Sequence, residues 1–127
     1  MGRTILIIDD DEDISSSVRT ILESAGHTVL RAANGKEGIE LARSERPALI
    51  LLDFMMPIMD GFHVCSAIDQ EQALRDIPII AFTAFGQDIM EVGLSPYAPC
   101  RTSIRECIEK PVEPNVLLHR VESLIGR

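Results

Sequence analysis

The sequence is poor in positive charge and in lysine above all. Lys36 and Lys110 are the only lysines among twelve basic residues, against twenty acidic ones, for a formal net charge of −8 over 127 residues. That excess argues against non-specific binding to nucleic acid or to an anionic membrane, both of which reward positive charge. No apolar run approaches the roughly 18 residues of a membrane span. The start, MGRTILIIDDD, passes from a strand-like segment into acid, which predicts no signal peptide and a cytoplasmic protein. Repeats, linkers and low-complexity tracts are missing too, so the length predicts one domain over residues 1–127. Cysteines are few and odd in number: Cys65, Cys100 and Cys107 predict free thiols rather than a disulfide framework, with Cys65 buried in a helix. What the chain does have is 46% hydrophobic residues, enough for a core of its own, which excludes global disorder.

Apolar runs of strand length alternate with helix-period segments. Ile5 to Ile8 is continuous, as in a strand buried on both faces. After five acidic residues, Ile14, Val18, Ile21, Leu22 and Ala25 mark one helix face, and Gly26 is the natural stop. His27 to Ala32 reads as a second strand, and Asn34 caps a helix from Gly35 to Ser44. Ala48 to Leu52 is a third strand, ending at Asp53, with a helix predicted from about Phe62 to Ala73. Ile79 to Phe82 is a fourth strand ending at Thr83, Ile104 to Ile108 a weak fifth, and Val116 to Ile125 a last helix. Such alternation implies a mostly parallel α/β sheet with helices on both faces. The stretch from Gly86 to Arg105 breaks the pattern, since it contains Gly93, Pro96 and Pro99 and offers no sustained helix period beyond about Gln87 to Val92.

Ligands of open parallel sheets sit outside the carboxyl ends of the strands. Four strands here end in chemically useful residues: Asp9 and Asp10, Asp53, Thr83, and Lys110. Parallel strands bring those ends to one edge, so three carboxylates, a hydroxyl and an ammonium should share one cavity. Three neighbouring carboxylates repel unless a cation or protons intervene. A hard divalent ion, Mg²⁺ above all, resolves this with oxygen ligands. Thr83 and Lys110 then face room for further anionic oxygens, which describes phosphoryl chemistry with a carboxylate nucleophile.

With ILIIDDDEDI at 5–14, LILLDFMMPIMDG at 49–61, AFTA at 81–84 and EKP at 109–111, nearly the whole chain resembles the receiver domain of two-component response regulators. The resemblance implies a flavodoxin-like, doubly wound, five-stranded parallel sheet of order 2-1-3-4-5. It implies Asp53 as phosphoacceptor, Mg²⁺ (or Mn²⁺) held by Asp10 directly, by Asp9 mainly through water and by the backbone carbonyl of Met55, and phosphoryl oxygens held by Thr83 and Lys110. Pro111 would follow a cis peptide bond. The phosphoryl donor would be a histidine kinase or a histidine phosphotransfer protein, and the signal would pass through contacts with a further protein. Catalysis would be limited to Mg²⁺-dependent self-phosphorylation and self-dephosphorylation.

Plainer roles fit other residues. Asp11, Glu12 and Asp13 read as solvated first-turn residues favoured by the helix dipole. Met55, Met56 and Met59 read as gap-fillers around Pro57, and His27, His63 and His119 show no ligand spacing. The departures from the receiver pattern cluster in residues 86–108. Thr83 and Lys110 stand 27 positions apart, a longer span than the resemblance implies. Cys107 occupies the place of the aromatic ring that usually swings on phosphorylation, and Pro96 and Pro99 predict an irregular fourth helix region. The expected outcome is retained chemistry with an altered output face; the rival is a degenerate pseudo-receiver acting as a phosphorylation-independent interaction module. A small-molecule phosphatase would place an acid two residues after its nucleophile, where this chain has Met55. Met55 and Phe85, two residues beyond Asp53 and Thr83, are predicted to shield the acyl phosphate from water and so to set its lifetime.

Overall fold

The computed structural model describes residues 2–53, 61–83, 104–109 and 113–125. Among them the chain runs β1 (Thr4–Ile8), α1 (Glu12–Ser24), β2 (Thr28–Ala32), α2 (Gly35–Glu45), β3 (Leu49–Asp53), α3 (Gly61–Gln70), β4 (Ile79–Thr83), β5 (Ile104–Glu109) and α4 (Pro114–Ile125). The five strands form one sheet, ordered β2-β1-β3-β4-β5, with every neighbouring pair parallel. This is the doubly wound order the resemblance implied. The weak fifth strand is present and reaches Glu109. It enters through an irregularity, because Ile79 pairs with Ile104 but Ile80 with Glu106, leaving Arg105 without a register partner.

Alternation along the central strands divides the core in two. Ile5, Ile7, Leu49 and Leu51 face α1 and α4 through Val18, Leu22, Leu117 and Val121. Leu6, Ile8, Ile50 and Leu52 face α2 and α3 through Ile39, Ala42, Val64 and Ile68. Both faces of β1 and β3 are therefore covered, which is why these strands read as unbroken apolar runs. Each such side chain contributes roughly 1.5–3 kcal/mol by leaving water.

The helix ends follow local chemistry. Asp11 is the N-cap of α1, its carboxylate accepting the Ile14 N–H at 3.1 Å. It is thus a cap rather than the plain first-turn acid expected, while Glu12 and Asp13 do occupy the exposed first turn. Gly26, at φ 94°, closes α1: its N–H reaches the Glu23 carbonyl and the His27 N–H the Leu22 carbonyl, a Schellman pairing that needs a left-handed residue. Asn34 caps α2 as predicted, accepting the Glu37 N–H at 2.9 Å. That helix ends on Arg46, a non-glycine at φ 44°, directly before Pro47, which disfavours the helical conformation of its predecessor.

The predicted run from Phe62 to Ala73 is too long. Helix α3 stops at Gln70, and Leu74 is instead tucked into the core by turns in which the Glu71 carbonyl accepts the Leu74 and Arg75 N–H groups. Glu71 also pairs with Arg43 at the end of α2; that hydrogen bond holds the Glu71 carboxyl below its usual pKa and the Arg43 guanidinium above its own. Cys65 is a buried free thiol, as expected. No helix among the described residues is long and apolar enough to cross a membrane.

Helix α2 lies so close to β1 that a Cβ at Gly38 would sit 2.4 Å from Ile8 Cδ1 and 2.7 Å from its Cγ1. Ile8 is fully buried and cannot swing aside cheaply. Gly38→Val should therefore lower stability by roughly 1–3 kcal/mol through overpacking. Gly38→Ala should cost less, since the gain in helix propensity offsets it by about 1 kcal/mol. Urea unfolding checks both. Because Ile8 precedes Asp9, the damage should extend to the site described next.

Candidate functional site

At the carboxyl edge of the sheet, β1 hands the chain to Asp9 and Asp10 while β3 ends on Asp53. One carboxylate oxygen from each of the three lies within 4.8 Å of the other two. Asp9 and Asp53 are only 1% and 4% exposed, whereas Asp10 is exposed. Two buried carboxylates and one exposed one thus form a single acidic cluster, as the parallel arrangement required.

The loop after β1 fixes Asp9 at three atoms. Its N–H donates to the Ala32 carbonyl at 3.1 Å, continuing the β1–β2 ladder one step past the strand. Its carbonyl accepts from Arg31 Nη2 at 3.2 Å. Its Oδ1 accepts the Asp11 N–H at 2.9 Å. Asp11 therefore does two jobs: its side chain starts α1 and its backbone orients the neighbouring carboxylate. Neither the Asp11 contact nor Arg31 was expected from the sequence. A single cation inside the otherwise apolar half of TVLRA was the available signal for Arg31.

Other predicted site residues are placed only in part. Thr83 is the last residue of β4, its backbone in register with Glu109, and Asp53 is in register with Phe82 one position earlier. Thr83 therefore ends on the same edge as the acids. Cys107 lies within β5, in register with Ala81. The side chains of Thr83 and Cys107 lie outside what is described. Met55, Phe85, Lys110 and Pro111 lie outside the described residues, as does the span 86–103, on which the expectation of an irregular fourth helix region falls.

The donor set suits a hard cation. Three carboxylates offer only oxygen, no described histidine or cysteine joins them, and their mutual repulsion is what a divalent ion relieves. Mg²⁺ keeps several waters and takes few protein ligands, so an exposed Asp10 beside two recessed acids fits it well.

The family model for "Response regulator receiver domain" matches residues 5–122 of the chain. Among similar proteins, the transcriptional regulatory protein AfsQ1 of Streptomyces coelicolor is 38% identical over 98% of this chain and 52% of its own length. The protein PilH of Pseudomonas aeruginosa is 32% identical over 96% of this chain and 97% of its own length. Several of the curated relatives are twice as long, so the chain spans about half the length of those it matches. Among solved structures, the receiver domain of sensor histidine kinase PA1611 from Pseudomonas aeruginosa superimposes with a TM-score of 0.85 at 26% identity, covering 100% of both chains. That structure has a magnesium ion coordinated in its active site cleft.

Proposed function

Because the chain belongs to the response regulator receiver domain family, we propose that it accepts a phosphoryl group on the Asp53 carboxylate and signals through protein–protein contacts. The donor is a histidine kinase or a histidine phosphotransfer protein, and the setting is the cytoplasm. The observation that carries this reading is the recessed Asp53 carboxylate within 4.8 Å of two further acids at the edge where parallel strands end.

The chemistry asks little of the protein. An ionised carboxylate is already a nucleophile near neutral pH, so Asp53 needs no general base. Its oxygen bonds to phosphorus as the donor's P–N bond breaks; the freed imidazole retains the electron pair and picks up a proton from solvent. Asp9 and Asp10, with the Met55 carbonyl, would hold Mg²⁺ (or Mn²⁺). When bound, the ion supplies the positive charge that lets an anionic donor approach three carboxylates. Thr83 and Lys110 take the remaining phosphoryl oxygens in this reading. Arg31 and the Asp11 N–H keep Asp9 in place before any ligand arrives.

The test is direct: the chain is incubated with Mg²⁺ and a small acyl phosphate, and the intact mass is measured. An adduct of roughly 80 Da, one HPO₃, is the expected result for phosphoryl transfer to the protein. Without an adduct under conditions where another receiver is labelled, the chain is the interaction module instead.

Lifetime is a separate matter. Met55 and Phe85 are bulky and apolar at the two sequence positions from which water would be excluded. Met55→Asn and Phe85→Ser should each speed phosphate loss about 3- to 10-fold, equivalent to about 1 kcal/mol of barrier. Adduct decay followed by mass spectrometry reads this out; unchanged decay in both variants removes the shielding role.

A further inference from the structure

Between α1 and the edge strand β2 lies a cleft of about 140 Å³, lined by Ile7, Glu12, Ser15, Ser16, Arg19 and Arg31. We propose that this cleft binds a small phosphate dianion at a site separate from the Asp53 edge. Two guanidiniums and one carboxylate share the cleft, a local surplus of positive charge on a chain that is strongly acidic overall. In a molecule with so few cations, two directed at one concavity stand out as a place where an anion is attracted rather than repelled.

Neither arginine is fully used by the protein. Arg31 donates through Nη2 to the Asp9 carbonyl, makes no ion pair among the described residues, and its buried Nε–H has no acceptor there. Arg19 donates through Nη2 to the Val29 carbonyl at 3.1 Å, and its Nε lies at a loose 3.8 Å from Glu23. A guanidinium with spare N–H groups suits phosphate, whose tetrahedral oxygens can engage two forks at once. The Ser16 hydroxyl, one α-helical turn before Thr20 and exposed in the same cleft, adds a donor; the Ser15 hydroxyl is committed to the Asp11 carbonyl.

The fold explains why the site can exist. Arg31 is the register partner of Ile7 on an edge strand, so its stem lies at the margin of the core while its head reaches the cleft. Ser15, Ser16 and Arg19 recur along α1 at helical spacing, placing them on the stripe above it. Because Arg31 also holds the Asp9 carbonyl, the cleft adjoins the acidic cluster without sharing its carboxylates.

The experiment uses metal-free Asp53→Asn protein, so that phosphate meets no metal ion and no acceptor carboxylate at the acidic edge. Inorganic phosphate is titrated against chloride at constant ionic strength, following the amide resonances of Ser15, Ser16 and Arg19 and the Arg31 Nε–H. Saturable shifts confined to these residues are expected. Adding Arg31→Gln should weaken binding about tenfold or more, the loss of a charge-assisted contact. Since that change also touches the Asp9 loop, Arg19→Gln is measured alongside and should weaken binding as well. Non-saturating shifts, or saturation unaltered by both arginine substitutions, would overturn the proposal.

Discussion

Asp53→Asn should take up no detectable phosphoryl group while remaining folded. The amide keeps the shape of the side chain but has no anionic oxygen, and removal of an attacking nucleophile costs roughly 10³-fold or more in comparable covalent chemistry. The prediction is sharper than a loss of activity, because the same change should stabilise the metal-free chain. It removes one of three carboxylates packed within 4.8 Å, and in a recessed setting each such pair repels by about 3 kcal/mol at an effective dielectric near 20. Intact mass and a thermal melt therefore move in opposite directions: the adduct disappears as the melting temperature rises. An adduct on Asp53→Asn equal to that of the parent would locate the acceptor elsewhere and end the reading of Asp53. A melt that fell instead would mean that Asp53 is held by partners worth more than the repulsion it suffers.

Much of this site could be read before the fold was known, and the reason is geometric. Ile5 to Ile8 and Leu49 to Leu52 are apolar without interruption because both faces of β1 and β3 are covered, so the strands announce themselves. Once they are parallel, Asp9, Asp10 and Asp53 must meet at one edge. Asn34 and Gly26 were equally plain, since capping depends on residues three or four positions away. What the sequence hid depends on distant chain. Arg31 became a brace only when β2 came to lie beside β1 and Asp9. The helix predicted to about Ala73 stops at Gln70, because the turn after α3 delivers Leu74 to a core formed by other elements. His27 is buried, its Nδ1 accepting the Arg3 N–H at 3.1 Å and its Nε2 lying 3.5 Å from Glu122 of α4. Those partners stand 24 and 95 positions away along the chain, beyond the reach of any local pattern.

Asp10→Asn should reverse sign with magnesium, and this separates a metal site from an accidental gathering of acids. Without metal, the variant has lost a charge from the rim of the cluster and should melt higher than the parent. With Mg²⁺ at about 100 times its dissociation constant, the parent gains roughly 2.7 kcal/mol, because a ligand of the native state stabilises by mass action. A tenfold weaker affinity in Asp10→Asn removes about 1.4 kcal/mol of that gain, so the order of the two melts should invert as Mg²⁺ rises. Asp9→Asn should melt higher still without metal, since Asp9 is recessed, but should lose less of the Mg²⁺ gain, since in the proposed site it reaches the ion mainly through water. An asparagine there still offers an Oδ1 to the Asp11 N–H, so the loop is kept. Sodium chloride at matched ionic strength is the control, because simple screening would raise the parent's melt without regard to which ion is added. If Asp10→Asn gained as much from Mg²⁺ as the parent does, Asp10 would not be a ligand, and the exposed member of the trio would serve only solubility. The fate of the net charge of −8 turns on this measurement: part of it is then a binding site that the fold maintains against its own repulsion, at the edge where Asp53 must meet an anionic donor.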